Sequence, residues 1–235
     1  MSFKEVLNEK FKQYGFVLSQ EQIIHFEKFF ELLVEWNCKM NLTTITEPNE
    51  VIAKHFLDSV IPENLIMKNC SIIDVGCGAG FPSLPLKILR PDLKITLIDS
   101  VQKKLIFVQE VVDKLNLKDI NIIHSRAEEL ASKNEYREKF DVCISRAVAE
   151  LVTLCEYCLP FVKTGGLFLA YKSQNVEEEL NNSKVAIKTL GGEFLKVQSF
   201  NFDKIERNVV CIKKVYQTPK KYPRDKNKPR LTPIK

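Results

Sequence analysis

Residues 74–82 read DVGCGAGFP: a carboxylate, Asp74, at the end of an apolar run, then Gly76, Gly78 and Gly80, then Phe81. Glycines at this density behind a strand let backbone amides approach a bound group closely, which is the chemistry of a cofactor cradle. A dinucleotide, a phosphate or a methyl donor could occupy such a loop. The dinucleotide pattern G-x-G-x-x-G places its third glycine at position 81, which here is Phe81. A carboxylate at Asp74 would repel a pyrophosphate, whereas it would attract the sulfonium and ammonium of S-adenosylmethionine. Phe81 would add an apolar wall. Asp99 lies 19 residues beyond Gly80, close to the ~20-residue spacing at which an acid meets ribose hydroxyls. Read alone it could equally cap the following helix; behind the glycine loop, Asp99 and Ser100 are expected to hold the donor.

The acceptor side is defined by what it lacks. Methylation of an exocyclic amine commonly uses Asn or Asp beside Pro-Pro at the end of the fourth strand, where this chain has Ser145-Arg146-Ala147. Cytosine C5 chemistry needs an open, activated thiol, but Cys143 falls inside the predicted strand FDVCIS. Cys155 and Cys158 have no second Cys/His pair at zinc spacing, so no metal site is expected. His25 and His124 are isolated, and His55 is the histidine to follow. An acceptor needing no base fits this inventory. The N7 atom of guanine carries an in-plane lone pair and no proton, so its attack on a methyl requires alignment more than proton transfer. Arg146 could position the guanine or a phosphate through paired hydrogen bonds.

These residues need a frame. Predicted strands SIIDV (71–75), KITLID (94–99), NIIH (121–124), FDVCIS (140–145) and GLFLAY (166–171) alternate with helical stretches at 101–117 and 149–162. Such alternation predicts a parallel sheet covered on both faces. Two further strands, 193–200 and 208–215, are separated by too few residues for a crossover and should pair antiparallel. The expected fold is therefore α/β: a class I S-adenosylmethionine-dependent methyltransferase sheet, Rossmann-like and mainly parallel, ending in an antiparallel hairpin. A helical N-terminal appendage (1–65) precedes the donor-binding domain (66–216), and Ser19 with Gln22 forms a capping box at the start of its main helix. Asp74 and Asp99 should flank one crevice at the carboxyl ends of their strands.

Charge singles out a third segment, 217–235. Residues 213–235 carry nine Lys/Arg and one Asp, leaving 26 basic and 29 acidic residues in 1–212. A basic arm on a slightly acidic body suits the grip of nucleic-acid phosphates, although a solvated tail would have the same composition. Lys220, Lys221 and Arg224 are the candidate contacts. Deleting 220–235 is expected to weaken RNA binding and leave donor affinity nearly intact. The chain opens with interleaved charge and holds no run of about 18 apolar residues, so neither leader nor membrane span is expected. Seven scattered cysteines fit a reducing cytoplasm. Nothing demands an interface, and a monomer is expected.

WNCKMNLTTIT (36–46), HFLDS (55–59), DVGCGAGFP, LIDS (97–100), SRAEEL (125–130), FDVCISRA (140–147) and KKYPR (220–224) occur in that order. Together they resemble the bacterial 16S ribosomal RNA guanine-N7 methyltransferase family, also called glucose-inhibited division protein B. The resemblance implies methyl transfer to one guanine in the decoding-region loop of the small subunit. It also implies donor contacts at Gly76, Phe81, Ala127, Glu128 and Arg146, and a role for His55 near the crevice or the RNA. After KKYPR the chain departs from the family's usual Gly-Thr-Pro tail. A methyltransferase of the same fold acting on a small molecule or protein, a non-catalytic donor-binding assembly factor, and an NAD-dependent oxidoreductase are the competing readings.

Overall fold

The computed structural model describes residues 1–173, 176–202 and 205–235, without the side chain of residue 205. Seven strands form one sheet in the order β3-β2-β1-β4-β5-β7-β6. They are β1 (Ser71–Val75), β2 (Lys94–Asp99), β3 (Ile120–His124), β4 (Phe140–Arg146), β5 (Val162–Lys172), β6 (Gly192–Phe202) and β7 (Ile205–Lys214). The first five pair in parallel, and β7 lies antiparallel between β5 and β6. The chain order reverses between β1 and β4, so their carboxyl ends diverge into a crevice, the usual ligand position in such sheets.

Alternate residues along each strand enter two cores, as the pleat requires. Ile72, Leu97, Val142 and Leu169 pack under α1 (Phe3–Gln13), α2 (Gln20–Asn37) and the helices that follow β1 and β2, α5 (Ser83–Leu89) and α6 (Gln102–Lys114). Ile73, Ile98, Cys143 and Phe168 pack under α7 (Ala127–Ala131), α8 (Leu151–Cys158) and α9 (Val176–Thr189). The N-terminal helices therefore supply part of one of the two layers that flank the sheet. Their glue is aromatic: Phe11, Phe26, Phe29 and Phe56 are fully buried, each contributing ~1.5–3 kcal/mol by leaving water. The Ser19–Gln22 capping box forms, and Gln22 Nε2 also donates to the carbonyls of Ile88 and Leu89 at the end of α5.

Within the segment expected to be helical (1–65), VIAKHFLDSV (51–60) falls across three pieces: α3 (Pro48–Val51), a π-helical turn (Ile52–Leu57) and α4 (Asp58–Val60). The wider turn sets the outlook of His55, and π turns gather at functional sites. The fifth strand starts at Val162 rather than at 166, because VKTGG continues the ladder after a register shift between Phe140 and Val142.

Candidate active site

The glycine loop leaves β1 and hangs from β2. The amides of Gly76 and Cys77 donate to the Ile98 carbonyl at 2.9 and 3.1 Å. Asp99 then ties both loops with one carboxylate: Oδ2 accepts the Gly78 amide at 2.9 Å and Oδ1 accepts the Val101 amide at 2.8 Å. Gly76 adopts φ +76°, and a Cβ there would collide with Val148, so this position has room for glycine alone. Gly78, at φ +56°, faces open space. Gly80 packs against Leu84.

Beside this loop lies a cleft of about 590 Å³, lined by Gly76, Asp99, Ser100, Ala127 and Glu128 among others. The structure brings these five residues, expected at the donor, together on one cleft. Glu128 is buried; its Oε1 accepts Arg126 Nε at 2.8 Å and forms an ion pair with the same guanidinium. Asp74 sits underneath, fully buried; Ser83 Oγ donates to its Oδ2 at 2.7 Å, while Oδ1 has no hydrogen-bond partner among the described residues. Burial pushes its carboxyl up to about 7, opposed by the Ser83 bond. Phe81 is 7% exposed and lies on the wall of neither cavity described here. It stacks instead between Phe29 (5.3 Å) and His55 (4.6 Å), with the Arg146 guanidinium 5.2 Å from its centre.

A second cavity of about 440 Å³ opens on the other side of the end of β4, lined by Lys54, His55, Asp58, Arg146, Tyr171 and Arg207 among others. Ala147 lines both cavities. Asp58 is buried and grips two arginines: Arg146 Nη1 donates to Oδ2 at 2.6 Å and Arg207 Nε donates to Oδ1 at 2.7 Å. Removing one member of such a buried cluster typically costs ~3–5 kcal/mol. His55 Nε2 meets Thr43 Oγ1 at 2.8 Å, and its buried Nδ1 has no hydrogen-bond partner among the described residues. Burial, then the Arg146 charge, hold its pKa down at about 4, so the ring is neutral at pH 7. Tyr171 Oη donates to the Ser59 carbonyl at 3.2 Å, joining β5 to α4. Arg146 thus faces the second cavity, not the cleft beside the glycine loop.

The basic tail is folded onto the body. Lys214, 0% exposed, donates to the Leu159 carbonyl and Thr218 Oγ1, both at 2.7 Å, and pairs with Glu138 at 3.0 Å. Arg224 pairs with Glu156, 1% exposed, at 2.6 Å, and its amide donates to the same carboxylate. Pro229 is buried at the start of α10 (Lys228–Leu231), its carbonyl accepting Thr153 Oγ1 at 3.3 Å. Lys220 and Lys221 are exposed. Arg224 is therefore an anchor of the tail, and neither it nor the two lysines line the two cavities.

Sequence reasoning missed Arg207, Asn227 and Arg230, and reached Arg126 only as part of SRAEEL (125–130). Arg207 had a faint signal, a cation just ahead of the apolar run NVVCI. Asp58 had a stronger one, an acid set among Phe56, Leu57 and Val60.

A mainly parallel seven-stranded sheet with a carboxyl-end cleft beside a glycine loop defines the class I methyltransferase fold. The same fold underlies M. jannaschii TYW2 in complex with AdoMet (TM-score 0.57, 13% identity, 73% of this chain and 80% of that one). TrmN from Thermus thermophilus also shares it (TM-score 0.53, 14% identity, 70% and 53%). Residues 22–210 match the family described as rRNA small subunit methyltransferase G, GidB, and the chain belongs to that family. It is 48% identical to the ribosomal RNA small subunit methyltransferase G of Acetivibrio thermocellus over 100% of this chain and 98% of that protein. Its identity to the protein of the same name from Bacillus cytotoxicus is 47%, over 99% and 97%.

Proposed function

We propose that this chain transfers a methyl group from S-adenosylmethionine to the N7 atom of a guanine in 16S ribosomal RNA of the small subunit. One observation carries the choice of acceptor: among the described residues, the cavity beside the donor cleft contains no carboxylate free to take a proton. Both oxygens of Asp58 are bonded to arginines, and Glu179 pairs with Lys172 at 2.6 Å. His55 is neutral but its buried Nδ1 is shielded from a reacting atom. N7 has no proton to lose, so these residues need only hold and orient the base. Membership in the family supports the same reading.

The residues of the larger cleft fit the donor. Its volume lies within the usual range for a cofactor site, roughly 300–1,000 Å³. Asp99 offers a carboxylate where ribose hydroxyls would lie, and Glu128 offers one beyond it. Asp74 keeps an unpartnered oxygen beneath the loop, suited to stabilising a nearby cation once ionised. S-adenosylmethionine would supply an electrophilic methyl on its sulfonium. Arg146 and Arg207, held apart by Asp58, would orient the guanine or its phosphate and exclude water from the meeting point at Ala147. Among the described residues no helix is long and apolar enough to cross a membrane, and the reading places the enzyme with ribosomal RNA in the bacterial cytoplasm. Lys220 and Lys221, exposed on the tail, are its candidate RNA contacts.

The test is transfer of labelled methyl to small-subunit RNA or subunits, with the product mapped by strand cleavage specific for N7-methylguanine. Arg146→Ala should lower turnover by about 100-fold or more through loss of alignment, with S-adenosylmethionine affinity retained. Absence of transfer to either substrate by the unaltered chain refutes the proposal.

A further inference from the structure

Two residues on the wall of the donor cleft come from beyond the last strand: Asn227 and Arg230. We propose that residues 218–231 form a strap that walls the nucleoside end of the donor cleft, with Arg230 a direct affinity-determining contact for the adenine base. The proposal rests on the reading of that cleft as the S-adenosylmethionine site.

The strap is built rather than draped. Its root is fixed where Lys214, Glu138 and Thr218 form one buried polar cluster, with the Thr218 amide donating to Glu138 at 2.7 Å. Arg137 extends this by donating to the carbonyls of Thr218 and Tyr222 at 2.7 and 2.8 Å. The Arg224–Glu156 pair fixes its middle, and Pro229 buried against α8 fixes its end. Left-handed Lys226 and Asn227, at φ 52° and 61°, turn the chain between the last two anchors toward the cleft. Asparagine tolerates that conformation better than most residues.

Location identifies which part of the donor the strap meets. Ala147 marks the end of the cleft that adjoins the acceptor cavity, so the transferable methyl belongs there. Asp99 and Ser100 follow β2, and Arg126, Ala127 and Glu128 follow β3, each strand one place further from β4. The base of the donor therefore belongs at the β3 end. Asn227 sits at that end, its Oδ1 bonded to Arg126 Nη2. The Arg230 side chain lines the same cleft and makes no hydrogen bond or ion pair among the described residues. A planar guanidinium without a protein partner can stack on an aromatic ring and donate to ring nitrogens. This reverses the expectation that loss of the tail spares donor affinity.

The experiment is calorimetric titration of the full chain, of Arg230→Ala, and of a chain ending at Asp225, which keeps the Thr218 and Arg224 anchors. Two probes are used: S-adenosylhomocysteine, and 5′-methylthioadenosine, which carries the nucleoside without the amino acid. Arg230→Ala should bind both about three- to tenfold more weakly, the range of one stacked cation, with its melting temperature unchanged. The shortened chain should lose at least as much. Unaltered affinity of Arg230→Ala for both probes, with the full chain binding them, overturns the strap and leaves the donor site standing. Failure of the full chain to bind either probe overturns both. Should the shortened chain not fold, Arg230→Ala decides alone.

Discussion

The N-terminal helices and the C-terminal strap lean over neighbouring cavities, yet opposite forces hold them. The helices bring His55 and Asp58 to the acceptor cavity on a pile of rings: Phe11 on Phe26 at 5.1 Å, Phe26 on Phe56 at 5.0 Å, Phe29 on Phe81 at 5.3 Å. The strap brings Asn227 and Arg230 to the donor cleft on buried charge, through Arg224–Glu156 and Lys214–Glu138. Rings are specified by volume and tolerate a substitute of similar size. Buried ions are specified by charge, and a neutral residue of identical shape strands the partner. One chain thus uses two kinds of tolerance around one reaction.

That contrast can be broken by substitution. The largest expected effect is Phe29→Ala, a loss of about 3–5 kcal/mol in urea unfolding, while Phe29→Leu should cost less than about 1.5 kcal/mol. Equal costs would mean that the aromatic pile is not held by volume. Next, Glu156→Gln should destabilise by about 2–3 kcal/mol, nearly as much as Glu156→Ala, because either change leaves Arg224 without its counter-charge. A negligible cost for Gln against a large one for Ala would show the strap to be held by shape.

The smallest effect sharpens the comparison where charge enters the aromatic region. The folded pKa of His55 is depressed to about 4 by burial and by Arg146, so below its ordinary value of 6.5 the unfolded chain takes up a proton first. Stability from this group is complete above about 6.5 and is lost as pH falls toward about 4. Asp74 acts in the reverse sense: its raised pKa makes the folded state lose stability as pH rises from about 4 to about 7. The difference in melting temperature between the unaltered chain and His55→Gln, followed from pH 7 to pH 4.5, isolates the histidine. A pH-independent difference would contradict a buried, neutral ring.

Much of the fold was legible because parallel strands announce themselves as continuous apolar runs. SIIDV and KITLID coincide with β1 and β2, and the short gap before NVVCIKKV identified the terminal hairpin. The donor cleft was half legible. Asp99, Ser100, Ala127 and Glu128 follow strands whose ends converge, a matter of topology. Phe81 and Arg146 turned elsewhere, since the direction of a side chain at a strand end depends on what packs behind it. Here that is Phe29 and His55, over 25 residues away in sequence. The strap was invisible for the same reason: composition reported nine cations but not the half-buried Glu138 and the buried Glu156 that await two of them. The π turn left no trace in a pattern that suits an ordinary helix equally well.

Ala147 holds a left-handed backbone, φ 58°, a conformation that costs a non-glycine residue roughly 1–2 kcal/mol. It is also the one described residue shared by both cavities. On the proposed reading, the two reactants would meet across a partition whose side chain is a single methyl. A bulkier residue would thicken that partition toward or beyond the ~3–3.5 Å at which reacting atoms must meet, so the left-handed alanine would keep the wall between the two rooms thin.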